Sequence, residues 1–127
     1  MHKALLAIAL AAAATPAIAH HSVYGAFDRR APTSLKGVVT EVNWINPHIW
    51  FLVDATGPGG QRASWKIESH PVNFMRNAGV TREMLMAGGK PVELIVLPAR
   101  REGAEHVGYL VKMTMADGKF IQFTPDK

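Results

Sequence analysis

The alternation of apolar and polar side chains predicts a chain built mainly of β-strands. Residues 34–44 follow a period of two that predicts a first strand, and Gly37 is expected to mark a bulge in it. Residues 48–54 are almost continuously apolar, which is typical of a central strand covered on both faces. Residues 63–68 alternate again and predict a third strand. The expected core residues are Val38, Val42, Phe51, Val53, Trp65, Ile67, Leu94 and Val96.

The hydrophobic period changes after the third strand and predicts a short helix before the fourth. Ser69 or His70 can cap this helix, and Gly79 can end it. Thr81 can cap a second helical turn over residues 82–87. Both turns are expected to bury part of their apolar side chains against the sheet.

Three more strands are expected in the remainder of the chain. Residues 91–97 and 106–115 have strand patterns, and Asp117-Gly118 predicts a tight hairpin turn into residues 120–123. The order of three strands, a helix and two strands, with an extra terminal strand, fits a small OB-like barrel, closed or partly open. A β-sandwich is the alternative architecture.

The N-terminus has the pattern of a secretory signal peptide. Lys3 precedes an apolar run from Ala4 to Ala14, and Ala17 and Ala19 are the small residues that signal peptidase requires. The run is about half of the ~20 residues that a membrane-spanning helix needs, so a periplasmic or secreted protein without a membrane span is expected. The predicted organisation is a signal peptide at 1–19, an extended arm at 20–33 and one OB-like domain at 34–127.

The amino-acid composition and the absence of known catalytic motifs exclude several classes of function. Without residues 1–19 the chain has 13 basic and 10 acidic residues, a balance too mild to indicate nucleic-acid binding. It has no cysteine, which excludes disulfides and thiolate chemistry. No nucleophile elbow, His-Glu-x-x-His motif or phosphate-binding loop is present. The sequence therefore favours a non-enzymatic protein and gives no catalytic residue.

Four short motifs together resemble a domain-of-unknown-function family of small exported bacterial proteins. The resemblance spans nearly all of the chain after residue 19, and it implies export and a compact β-rich fold without supplying any catalytic residues. Val80 and the Gly88-Gly89-Lys90 step depart from the pattern of that family. The motifs are His20-His21-Ser22, Trp44-x-Asn46-Pro47-His48-x-Trp50, Trp65-x-Ile67-Glu68 and Gly79-x-Thr81-Arg82.

Cleavage after residue 19 would leave His20 with a free amine. The amine and ring Nδ1 of that residue can chelate copper(II). A second imidazole would supply a third nitrogen for the tetragonal coordination that this ion prefers. His21 is adjacent and cannot easily supply that imidazole, so His48 is the best candidate, with His70 and His106 as alternatives. The competing interpretation is that the N-terminus is a soluble segment that binds metal only adventitiously. In that case His48 is a turn residue, His70 caps a helix and His106 is a solvated residue at the start of a strand.

Aromatic residues suggest a second binding region. Trp44 and Trp50 flank the Asn46-Pro47-His48 turn and can form a platform with Asn46 for a small ligand or an envelope partner. The sequence thus predicts an exported binding protein, and copper(II) handling is the most specific form of that prediction. The alternative is an interaction protein that uses residues 44–50. An oxidase or oxygenase built on the same copper site is a third class that the sequence leaves open. Five methionines are interpreted as core residues rather than copper(I) ligands: Met75, Met84, Met86, Met113 and Met115.

Overall fold

The computed structural model describes residues 23–123 as six strands, three short α-helices and one 3-10 turn. Within these residues, no helix has the length and apolar character needed to cross a membrane. The elements are α1 Val23–Ala26, β1 Thr33–Asn43, β2 Trp50–Thr56, β3 Arg62–Glu68, α2 Val72–Asn77, α3 Arg82–Met86, the 3-10 turn Ala87–Gly89, β4 Val92–Pro98, β5 Val107–Thr114 and β6 Phe120–Gln122.

The first five strands close into a barrel, and β6 is added to β5. Neighbouring strands run in the order β3-β2-β1-β4-β5-β6, all antiparallel. A parallel pairing of Lys66–Glu68 in β3 with Val107–Tyr109 in β5 closes the ring. α2, α3 and the 3-10 turn lie in the connection between β3 and β4. The predicted mainly β, OB-like barrel is therefore confirmed, and the expected short helix and second helical turn correspond to α2 and α3.

The barrel is filled by the inward-facing residues of every strand, because side chains alternate across a sheet. Seven of the eight predicted core residues are buried, and Val38 is the exception. The bulge in β1 lies at Thr40 rather than at Gly37, since Val39 pairs with Val53 while Glu41 pairs with Leu52. This extra residue reverses the alternation, so Val39, 2% exposed, takes the core position.

The outward face of β2 is less covered than its apolar sequence predicts. Trp50 and Leu52 are only half-buried, and Asp54 is exposed. The expectation of a strand covered on both faces is therefore wrong, because the helices pack elsewhere on the barrel and leave this face to solvent and to long side chains.

A second hydrophobic layer covers the outside of β4 and β5. Phe27, Leu97 and Tyr109 are buried together there, and Val23 of α1 packs against them. The rings of Phe27 and Tyr109 lie 5.5 Å apart. Arg100 fixes the segment in place, because its Nε donates to the carbonyl oxygen of Phe27 at 3.1 Å. The start of the described chain is thus anchored to the barrel wall.

Gly37 has a packing role that differs from the expected bulge. It lies between β2 and β4, where it pairs with Ala55 on one side and Val92 on the other. A Cβ at this position would collide with the carbonyl oxygen of Asp54 and lie 2.6 Å from the Cα of Ala55. Only glycine allows the two backbones to approach this closely.

We expect Gly37→Ala to lower the free energy of unfolding by about 1–3 kcal/mol, because the added methyl group must push β1 away from β2. Urea unfolding followed by tryptophan fluorescence measures the change. Gly57→Ala is the matched control, since a Cβ there meets nothing closer than the Leu35 side chain at 3.6 Å. Equal stability of the two variants would show that the backbone contact at Gly37 is unimportant.

Candidate functional site

The turn between β1 and β2 is tied to the segment that follows β3. The side-chain Oδ1 of Asn46 accepts a hydrogen bond from the backbone N–H of Val72 at 3.1 Å. The Ile49 N–H donates to the carbonyl oxygen of His70 at 3.1 Å, and the Ser69 N–H donates to that of Ile49 at 2.8 Å. These three bonds hold the two segments side by side at one end of the barrel.

This arrangement corrects the predicted cap of α2. The N-cap position is Pro71, and no side chain of that position caps the helix. Neither Ser69 nor His70 fills the role, because Ser69 Oγ donates to Met75 Sδ at 3.8 Å and the His70 ring pairs with the Tyr109 hydroxyl. Asn46 instead satisfies one of the unpaired donors of the first helical turn from a distant part of the chain. The expected cap of α3 is confirmed, since Thr81 Oγ1 accepts from the Met84 N–H at 3.1 Å.

His70 is the most enclosed polar ring in this region, with 2% of its surface exposed. It stacks on Phe74 with the ring centroids 3.9 Å apart. Phe123 and Tyr109 meet it edge-on at 5.1 Å and 5.6 Å. The hydroxyl oxygen of Tyr109 lies 3.1 Å from His70 Nδ1, within hydrogen-bond distance. His70 is therefore a fixed, hydrogen-bonded imidazole inside an aromatic cage.

The same tyrosine links His70 to the start of the described chain. Tyr109 packs on Phe27, which belongs to the outer hydrophobic layer together with Val23. Next to this layer is a cavity of about 320 Å³, whose walls include Phe27, the Glu68 side of β3 and Arg101. Glu68 pairs with Trp50 on one side and with Tyr109 on the other. The N-terminal segment, the tyrosine and the histidine thus lie on one side of the barrel.

His48 lies at the edge of this region but in a different environment. It is exposed, and β2 begins only at Trp50, so the expectation that His48 opens the strand is wrong. The reason is that Ile49 pairs with residues 69 and 70 outside the regular ladder, which leaves the preceding residue in the turn. His106 is also exposed, as expected, and its ring meets Trp65 edge-on at 5.3 Å.

The proposed aromatic platform is brought together only in part. Trp44 is half-buried and packs against the barrel core. Trp50 is half-buried on the outer face, where Lys66 Nζ lies 4.8 Å from its ring centroid. Asn46 uses its amide oxygen to hold α2. Ile45, in the same turn, is 53% exposed.

The five methionines that were assigned to the core differ in how deeply they are buried. Met75 and Met113 are fully buried, and Met86 and Met115 pack partly against the core, as interpreted from the sequence. Met84 is 41% exposed, so its assignment to the core is wrong. Leu85 takes the inward position of α3, and its neighbour faces an open groove beside β6.

The metal ligands predicted at His20 and His21 lie outside the described residues. Between residues 23 and 123, no three histidine, aspartate or glutamate side chains are grouped so that they could hold a metal ion.

Comparison with known proteins gives one match. A family model described as "Family of unknown function (DUF6152)" covers residues 7–108. The chain belongs to this family. The expected membership of a family without an established activity is thereby confirmed, while export stays a prediction. No curated protein and no solved structure matches the chain.

We expect Asn46→Ala to destabilise the protein by about 1 kcal/mol, because the N–H of Val72 loses its acceptor. Thermal and urea unfolding measure the change. Asn73→Ala is the matched control at an exposed position of α2 and should stay within about 0.5 kcal/mol of the native protein. If both variants unfold like the native protein, the turn does not depend on this bond.

Proposed function

We propose that this protein is an exported binding protein that handles copper(II) through His20 after removal of residues 1–19. The matched family has no known function, so the proposal rests on the chemistry of the residues. A first-position histidine offers two nitrogen ligands, its α-amine and its ring Nδ1. The absence of cysteine from the chain favours copper(II), which prefers nitrogen ligands, over copper(I), which prefers sulfur.

One structural observation supports this proposal most directly. Val23 packs on the layer that contains Tyr109, and Tyr109 contacts His70. Val23 follows His20 by three positions, and an extended chain of three residue steps spans about 10 Å. The segment that follows His20 therefore packs on the layer that Tyr109 links to His70.

The second imidazole has two candidates in the described part of the chain. His48 is favoured by the sequence because it follows a proline in a short turn, and His70 is the other histidine of the same barrel end. His21 is too close to His20 along the chain to occupy the position opposite the amine. The expected complex has three nitrogens around copper(II), which is the tetragonal arrangement that this ion prefers.

The N-terminal amine provides the test of this proposal. Protein that begins at His20, verified by intact mass, is titrated with copper(II) sulfate beside a variant carrying one alanine before His20. We expect the variant to bind more weakly, because the amine becomes an amide nitrogen without a lone pair to donate. The loss should exceed the roughly 10–100-fold effect of removing an outer-shell partner of a ligand.

The control for the titration is His106→Ala, which removes an exposed histidine whose ring meets Trp65 and should leave the affinity unchanged. Equal binding by the native and the extended protein would overturn the proposal. An exported form that starts at a residue other than His20 would overturn it as well.

A second candidate function is interaction with an envelope partner through residues 44–50. Its supporting observation is the 53% exposure of Ile45 between two half-buried tryptophans, since apolar anchors beside aromatic rings are common in binding surfaces. A photo-cross-linking residue at position 45 should give discrete adducts in the cell envelope. The same residue at the exposed position 61 should give none, and an absence of adducts from position 45 would count against this candidate.

A further inference from the structure

We propose that β6 is a self-association edge, at which the strands of two copies of this chain pair antiparallel about a two-fold axis through Ile121. The inference goes beyond the proposed function and does not depend on it. It gives a partner to a strand edge that the closure of the barrel leaves open.

The first argument is the direction of the backbone groups of β6. The Phe123 N–H donates to the carbonyl oxygen of Val111 at 2.8 Å, so residue 123 faces β5. Alternate residues of an antiparallel strand direct their N–H and C=O groups to opposite sides, so those of Phe120 and Gln122 are directed away from β5. Within the described residues β6 pairs with β5 alone and is the last strand of the sheet order.

These outward groups are self-complementary under a two-fold rotation. With the axis through Ile121, Phe120 of each copy lies opposite Gln122 of the other. Residues of a hydrogen-bonded antiparallel pair exchange both of their N–H···O=C bonds, so both outward residues of each copy are satisfied. Ile121 then occupies the non-hydrogen-bonded position between the two pairs, and its own backbone groups stay in the ladder with β5. Both copies use the same surface, as in most homodimers.

The second argument is the apolar surface beside this edge. A groove of about 580 Å³ lies between β6 and the segment formed by α3 and the 3-10 turn. Met84 and Phe120 line it, with exposed fractions of 41% and 59%. Phe120 is the most exposed large apolar side chain between residues 23 and 123. A strand added to β6 would lie over this groove, and the burial of apolar surface favours that association.

The edge also lacks the features that usually prevent such pairing. Natural proteins protect exposed strand edges with charged side chains, proline or bulges. Residues 120–123 include no charged residue and no proline, and the register of β6 with β5 is regular. The strand has only three residues. We therefore expect a reversible dimer whose population depends on protein concentration.

The third argument is the charge of the groove. The whole chain has a formal net charge of +4, which opposes the association of two copies. The groove is lined by two acidic residues and two lysines, so its own formal charge is zero. Lys112 adds a positive charge on the outer face of the sheet, where its Nζ lies 4.6 Å from the Phe120 ring centroid. Repulsion between two copies that meet at the groove is therefore small. The four charged residues of the groove are Glu83, Lys90, Asp117 and Lys119.

Sedimentation velocity of the native protein and three variants, over a wide range of concentration, tests this proposal. Gln122→Pro removes an N–H that β5 does not use, and edge strands accept proline at such positions. Each dimer then loses two hydrogen bonds, so we expect about 10–100-fold weaker association. Phe120→Gln should also weaken the dimer, because it removes an exposed apolar ring. Ile95→Gln is the matched control, since this side chain is 37% exposed on β4 and does not line the groove.

Hydrogen exchange of the backbone amides identifies the strand edge that pairs. We expect the amides of Phe120 and Gln122 to exchange more slowly as the protein concentration rises. The amide of Ile121 is the internal control, because it belongs to the ladder with β5 and should change less. All measurements are made without copper, so their outcome is separate from that of the proposed function.

Circular dichroism establishes whether each variant is folded, and Phe120→Gln decides if Gln122→Pro is not. A native protein that stays monomeric at every concentration would overturn the proposal. A dimer that is as stable in folded Gln122→Pro as in the native protein would overturn it as well. Slow exchange at residues 120 and 122 in a monomeric protein would have the same meaning, because another segment or ligand would then cover the edge.

Discussion

The organisation of the barrel end depends on three hydrogen bonds between the turn after β1 and the segment after β3. Asn46 accepts from the N–H of Val72, while Ile49 exchanges backbone hydrogen bonds with His70 and Ser69. Buried backbone groups must find partners, and these bonds supply them where neither segment is part of a regular ladder. They also fix where α2 begins, and so place Phe74 on the face of the His70 ring. The Trp-x-Asn-Pro-His-x-Trp element thus has a structural role before any role in binding.

A second constraint comes from the outside of the barrel. The OB-like closure leaves the outer faces of β4 and β5 apolar, with Leu97 and Tyr109 in adjacent strands. Phe27 and Val23 cover this surface and remove it from water, at a gain of about 25 cal/mol for each Å² buried. The same contacts that complete the hydrophobic layer therefore determine where the N-terminal segment enters. The contacts of Phe27 and Val23 thus contribute to stability and also position the N-terminal segment.

The sequence predicted the barrel well because strand alternation, the capping threonine at Thr81 and the Asp117-Gly118 turn are local signals. It failed where the determining contact is distant or where a single residue changes the register. The bulge at Thr40 exchanged Val38 for Val39 in the core, and alternation alone does not show which residue is the extra one. Asn46 caps a helix 26 residues away, and His70 meets Tyr109 across 39 residues. No local sequence pattern indicates either of these two contacts.

The His70–Tyr109 pair is harder to explain by packing alone. Its surroundings are the rings of Phe74, Phe123 and Phe27, among which apolar side chains of similar size would pack without needing a hydrogen bond. An imidazole in such a place costs free energy unless its polar atoms have partners, and the Tyr109 hydroxyl of β5 lies within hydrogen-bond distance of Nδ1. A polar pair that gives little stability over an apolar one is better explained by what its nitrogen and oxygen atoms can do. The pair fixes the imidazole in one orientation between α2 and β5, which an apolar pair of the same size would not do.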